Sequence, residues 1–149
     1  MKRWAAIGCC AATTALSACG NVQSPDLFLV TRSGSIPGAK LTLLASDGGT
    51  VTCNTNIRRD ISSHQLLIAR QIVRDLEGLK GNGDGNDTVG PADRNLHLPS
   101  RPGSVLSYNV RAEAGTVGFS DNSRGQPKVF YDIAAFTREI AQGICGLPR

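Results

Sequence analysis

The stretch LTLLASDGGTVTCN, residues 41–54, decides the fold. Leu41 to Ala45 is an apolar run of strand length, and Thr50 to Asn54 is a second run rich in β-branched residues. Between them Asp47-Gly48-Gly49 supplies the positive φ values that a tight hairpin reversal demands. A connection this short makes the two strands antiparallel neighbours. Side chains alternate along a strand, so Val51 and Cys53 share one face.

Upstream, DLFLVTR at 26–32 has the β-branched and aromatic residues of a strand buried on both faces or nearly so, and Ser33 to Gly38 is a turn cluster. Downstream, Ser62 and Gln65 have the spacing of a capping box. Leu66, Ala69, Ile72, Val73 and Leu76 then recur at helical spacing, Arg70, Arg74 and Glu77 fall opposite, and Gly78 and Gly81 are natural stops. From Gly81 to Gly103 no periodicity survives, and Pro91, Pro99 and Pro102 interrupt the segment, which reads as a long loop. Val105 to Ala112 and Thr116 to Ser120 make a second hairpin through Glu113-Ala114-Gly115. A turn at 121–127 leads to a last helix, about Val129 to Ile144, with an apolar stripe of Phe130, Ile133, Ala134, Thr137, Ile140, Ala141 and Ile144. The order is βββαββα. It predicts an α+β domain with an antiparallel five-stranded sheet and two helices packed on one face.

The 149 residues allow one such core, spanning 26–149, behind an N-terminal segment of different character. Apolar residues at 40% and charged residues at 19% suit a globular chain rather than a disordered one. Aromatic residues are only 5%, which predicts a core resting on Leu, Ile, Val and Ala. The formal charge of +4 includes Lys2 and Arg3; without them 14 basic residues face 12 acidic ones. That excess is too weak and too scattered for nucleic-acid binding, which needs clustered cations to displace counterions.

MKRWAAIGCCAATTALSACG at 1–20 has the form of an export signal: Lys2 and Arg3, then the uncharged, mostly apolar run Trp4 to Leu16, then small residues before a cleavage point. The run is shorter and less apolar than the roughly 20 residues of a membrane span. Leu16-Ser17-Ala18-Cys19 resembles the lipobox of bacterial lipoproteins. The resemblance implies a signal peptide at 1–18, cleavage before Cys19, a diacylglyceryl thioether on Cys19 and usually a further acyl chain on the new N-terminus. Two or more chains make a lasting anchor to the extracytoplasmic face of the cell membrane. Residues 19–25 would then be the lipidated Cys and a short tether.

Cys9 and Cys10 would leave with the signal and Cys19 would carry lipid, so Cys53 and Cys145 remain as an even pair in a compartment where disulfides persist. One bridge between them, 92 positions apart from 53 to 145, is expected to stabilise by roughly 4 to 5 kcal/mol. A catalytic or metal-binding role for the pair lacks C-x-x-C spacing or a nearby His.

Other chemistry is sparse. Asn82, Asp84, Asn86 and Asp93 are weak candidates for a calcium loop, but Asn82 stands where a carboxylate is expected, Asp87 where glycine is expected, and prolines follow instead of a helix. His64 and His97 are the only histidines; no G-x-S-x-G elbow and no zinc spacing accompanies them. Neither a catalytic constellation nor a cofactor motif is recognisable. Arg58-Arg59, with Arg70 and Arg74, form at most a small basic patch beside Asp60 and Glu77. If the long loop binds something, Thr88, Asp93, Arg94, His97 and Arg101 are the side chains it offers.

DLFLVTR (26–32), GSIPGAKLTL (34–43), DGGTVTCN (47–54), GTVGFSDNSRGQP (115–127) and CGLPR (145–149) resemble a family of small actinobacterial lipoproteins of unknown function. That likeness implies a membrane-anchored, extracytoplasmic protein and supplies no catalytic residues. A second likeness is architectural: strand-Cys-helix, long loop, hairpin and Cys-bearing last helix are similar to the Streptomyces subtilisin-inhibitor family. It would place a protease-binding loop within Thr88 to Ser104, where those inhibitors have a bracing disulfide and this chain has no Cys. The expected role is therefore a lipid-anchored binding or accessory domain of the cell envelope with an envelope protein as possible partner. A protease inhibitor acting through 88–104 is the alternative, and an envelope enzyme or metal-binding module the third.

Overall fold

Apolar residues at alternate positions along five segments, all brought into one register, build the core side of a sheet. The protein is described by a computed structural model covering residues 26–54, 57–78 and 88–148. The strands are β1 (Asp26–Gly34), β2 (Leu41–Ser46), β3 (Thr50–Cys53), β4 (Ile57–Asp60), β5 (Leu106–Ala112) and β6 (Gly115–Ser120); the helices are α1 (Ser63–Glu77) and α2 (Lys128–Gly143). The sheet is antiparallel in the order β4-β3-β2-β1-β5-β6. Phe28, Val30 and Arg32 of β1 stand opposite Ala45, Leu43 and Leu41 on one side and Ala112, Val110 and Tyr108 on the other. Nearly all of these are buried, so they mark the face that the helices cover.

The α+β class, the antiparallel sheet and the two helices are as the sequence predicts, but the sheet has six strands, not five. The unexpected strand is Ile57-Arg58-Arg59-Asp60, paired with Thr50–Cys53. It carries no apolar alternation because it is an edge strand whose Arg58, Arg59 and Asp60 side chains are all exposed. Charged side chains on an edge also discourage pairing with other chains.

Helix α1 begins as its capping box specifies: Ser62 Oγ accepts from the Gln65 amide at 3.2 Å, and Gln65 Oε1 accepts from the Ser62 amide at 2.9 Å. Its Ala69, Ile72 and Leu76 are buried, while Leu66 and Val73 are half-buried. From α2, Phe130, Ile133, Phe136, Ile140 and Ala141 enter the core. Thr137, also fully buried on that stripe, has a hydroxyl without a hydrogen-bond partner among the described residues.

Aromatic residues are few but concentrated. All four phenylalanines are buried, Tyr108–Phe119 and Phe119–Phe130 stack at centroid distances of 4.9 and 4.4 Å, and Phe28 meets Phe136 edge-on at 5.9 Å. The core is thus not aliphatic alone: a run of stacked rings joins the β5–β6 hairpin to α2. Offset and edge-on pairs contribute beyond their area, about 1 kcal/mol each. Cys53 and Cys145 form a disulfide, with Cα atoms 5.9 Å apart, tying β3 to the chain just past α2.

The segment from 88 onward is not the featureless loop that the composition suggests. Gly90, Pro91 and Ala92 are buried, the Ala92 amide donates to the Leu76 carbonyl at the end of α1, and Leu96 to Leu98 run alongside β6. The Leu98 amide donates to the Gly118 carbonyl at 2.8 Å and the Gly118 amide to the Leu96 carbonyl at 3.0 Å, making a short parallel bridge at His97. Gly118 lets the two segments meet closely there: a Cβ would run into the His97 ring, which would have to shift.

Candidate functional site

The alternation that places Phe28 and Val30 in the core also places Arg32 there. It is 7% exposed, directly opposite Leu41 and Tyr108. The turn after β1 folds back to receive it: Nε donates to the Ala39 carbonyl at 2.9 Å and Nη2 to the Gly38 carbonyl at 2.8 Å. A guanidinium has five N–H donors, so these bonds leave donor capacity over. Among the described residues no carboxylate lies within 4.0 Å of it.

Arg32 borders a cavity of about 490 Å³ at the end of the sheet where β1 finishes and β5 begins. One wall is the 36–39 turn with Pro148, another is the α2 face bearing Tyr131, Ala134 and Arg138, and Tyr108, Phe119 and Leu106 complete the floor. The volume lies in the range of about 300–1,000 Å³ common to small-molecule sites, which are likewise mostly apolar with a few convergent polar groups. Arg138 makes no hydrogen bond or ion pair with the described residues. Asp121, the acid in the lining, is occupied: it accepts from the Ser104 hydroxyl at 2.9 Å and from the Val105 and Leu106 amides at 3.1 and 3.2 Å. Burial pushes the Tyr108 hydroxyl above its ordinary pKa; the nearby positive charge of Arg32 opposes this, Asp121 adds to it, and Arg138 opposes it. Both arginines, the aspartate and this phenol line the same cavity.

The residues singled out in the sequence lie elsewhere. Cys19, Asn82, Asp84 and Asn86 fall outside the described residues. Asp93 accepts from the Gly90 amide at 3.3 Å and Arg94 Nε donates to the Gly90 carbonyl at 3.4 Å, so both serve the 90–95 turn. His97 meets the Thr116 hydroxyl at 3.3 Å, and Thr88 is exposed. No group of three or more His, Cys, Asp or Glu able to hold a metal ion occurs among the described residues, and no helix there is long and apolar enough to cross a membrane.

Arg101 is held by its backbone. Its amide donates to Asn122 Oδ1 at 3.1 Å, while Asn122 Nδ2 donates to the carbonyls of Arg101 and Pro102 at 3.1 and 3.3 Å. The Ser123 hydroxyl donates to the Pro99 carbonyl at 2.9 Å. Residues 99–103 are exposed in every member, so this is a presented loop fastened from beneath. Arg32, Tyr108 and Arg138 were not singled out in the sequence. The signal for Arg32 was its parity with Phe28 and Val30 in DLFLVTR. Comparison of the chain with protein-family models, with curated proteins and with solved structures gave no match.

Proposed function

We propose that the chain is a lipid-anchored, extracytoplasmic binding domain of a bacterial cell envelope, with the Arg32 cavity as its binding site. The observation that carries the binding role is Arg32 itself: a cation buried beside an open cavity, with backbone carbonyls as partners and, among the described residues, no acid within 4.0 Å to neutralise it. An unneutralised buried charge is costly, and a bound anion offsets that cost. The address rests on Lys2-Arg3, the 4–16 apolar run and Leu16-Ser17-Ala18-Cys19, and on the likeness to small actinobacterial lipoproteins. The Cys53–Cys145 bridge is consistent with an oxidising compartment.

Two measurements test this reading. Cys19→Ala is expected to abolish acylation of the protein and its retention in the membrane fraction, followed by mass spectrometry; a chain equally retained without Cys19 overturns the anchor. Native mass spectrometry of protein taken from its own membranes is expected to find a small molecule bound, and lost in Ala135→Trp, which narrows the cavity from α2. A ligand mass retained in that variant overturns the site.

A second reading has an observation in its favour. The 99–103 loop lacks a bracing disulfide, yet Asn122 and Ser123 hold its backbone at four points. A preorganised exposed loop binds a partner at low entropic cost. Protease inhibition through this part of 88–104 predicts stoichiometric inhibition of a secreted serine protease, weakened by Asn122→Ala. Absence of inhibition across a protease panel at micromolar concentration, or cleavage within the loop, removes it.

A further inference from the structure

The cavity's lining restricts the chemistry of its occupant. Five large apolar side chains are exposed on the described surface, and two of them, Ile36 at 45% and Tyr131 at 57%, stand on this cavity. Leu106, Pro37, Ala134 and Pro148 continue the apolar lining. Exposed apolar area gathered at a concave site marks a place where an apolar body is received.

The charges add a second restriction. Arg32 and Arg138 line the cavity together with Tyr108, and Asp121 is the acid among the described lining residues. Among the described lining residues, two cations and one carboxylate leave one positive charge. One negative charge balances it, whereas a phosphate monoester, with about −1.5 to −2, overshoots the balance and is repelled by Asp121. The planar guanidinium fork fits carboxylate and phosphate alike, so the charge balance selects the carboxylate. Asp121 does not compete for the arginines, because three donors from 104–106 already occupy its oxygens.

We propose that the cavity binds a monoanionic amphiphile, a carboxylate on an apolar chain or ring, with its headgroup at Arg32 and Arg138 and its body between the 36–39 turn and α2. The free donors of Arg32 and the Tyr108 hydroxyl reach the carboxylate from the sheet, and Arg138 closes on it from the helix. Ile36 and Tyr131 then lie against the body rather than against water. This rests on the binding reading above and sharpens it to a ligand class.

The test is titration calorimetry on the full chain carrying Cys19→Ala, using decanoate, decanol and decyl phosphate as probes below their micellar concentrations. Decanoate is expected to bind at one site, with decanol and decyl phosphate each weaker by about tenfold or more. Arg138→Gln, on the exposed face of α2, is expected to weaken decanoate by about tenfold and leave decanol unchanged. Arg32→Met is expected to weaken it further; should that variant not fold, Arg138→Gln carries the result alone. Decanol binding as tightly as decanoate, decyl phosphate binding more tightly, or Arg138→Gln leaving decanoate unaffected overturns the ligand class. So does failure of all three probes to bind. Such failures are distinct from failure of the binding role, which stands as long as native mass spectrometry finds a cavity-dependent ligand of another kind.

Discussion

Replacing both Cys53 and Cys145 by alanine tests the tie between β3 and the end of α2. The bridge closes a loop spanning 92 positions. In the chain-entropy treatment a loop of that length restricts the unfolded ensemble by roughly 4.6 kcal/mol at 25 °C. Native-state strain and residual unfolded structure reduce measured values, so a loss of about 3 to 5 kcal/mol is expected. At about 2.1 cal/mol/K of unfolding entropy per residue, a domain of this size loses roughly 10 to 20 °C in Tm. Urea unfolding of the parent under oxidising conditions, the parent with reductant and the double variant should give two coincident weakened curves and one stable one. The loss should also reach the cavity, because Pro148, three residues beyond Cys145, forms part of its wall against Gly38. A double variant within about 1 kcal/mol of the parent would refute the reasoning, since it would mean that α2 is held by packing alone and that the unfolded chain gains little freedom.

Thr137→Val keeps the shape of a fully buried side chain and removes a hydroxyl that has no partner among the described residues, so stability should rise by about 1 kcal/mol; a loss of similar size in thermal unfolding would show that the hydroxyl has a partner. Gly78 has φ of 78° and a Cβ there would collide with the Thr88 carbonyl, so Gly78→Ala should cost about 2 kcal/mol or more in urea unfolding, and a cost under about 0.5 would contradict the turn geometry. Ser62→Ala removes one half of the α1 capping box and should cost about 1 kcal/mol, with Ser62→Asp losing much less. Tyr108 is raised above 10.0 in the fold, so its contribution is complete below the unfolded value and is lost as pH rises through the folded one. In a Tyr131→Phe background, where Tyr108 is the sole tyrosine, ultraviolet titration of the folded protein should therefore show ionisation later than after unfolding; an earlier onset would contradict its burial.

Much of the fold is legible residue by residue. The 41–54 hairpin, the capping box at Ser62 and Gln65 and the apolar stripe of α2 each specify local structure through turn chemistry or periodicity, and those elements stand where the sequence puts them. Strand β4 is invisible to the same reasoning because its pairing is backbone to backbone and none of Arg58, Arg59 and Asp60 contributes to a buried face. The bridge at His97 is equally silent: its hydrogen bonds are backbone to backbone, and the room that Gly118 leaves for the His97 ring matters only once two distant segments meet. The cavity draws on β1, β5, β6, α2 and the C-terminal Pro148, so no single stretch encodes it. Only Arg32 leaves a trace, as a charge at a core parity.

The direction of β1 has a consequence for how the protein is displayed. The strand runs from Asp26, next to the proposed tether, to Gly34, beside the cavity, a path of roughly 25 to 30 Å. Strands β5 and β6 have their 106 and 120 ends at that same far side, and Asn122 fastens the 99–103 loop there too. A lipid at Cys19 would therefore work as the foot of a post whose two receptive features are both carried at its head. Seven residues from 19 to 25 add at most about 25 Å of reach. With such an anchor, the cavity and the 99–103 loop would both lie at the end of β1 opposite its point of attachment.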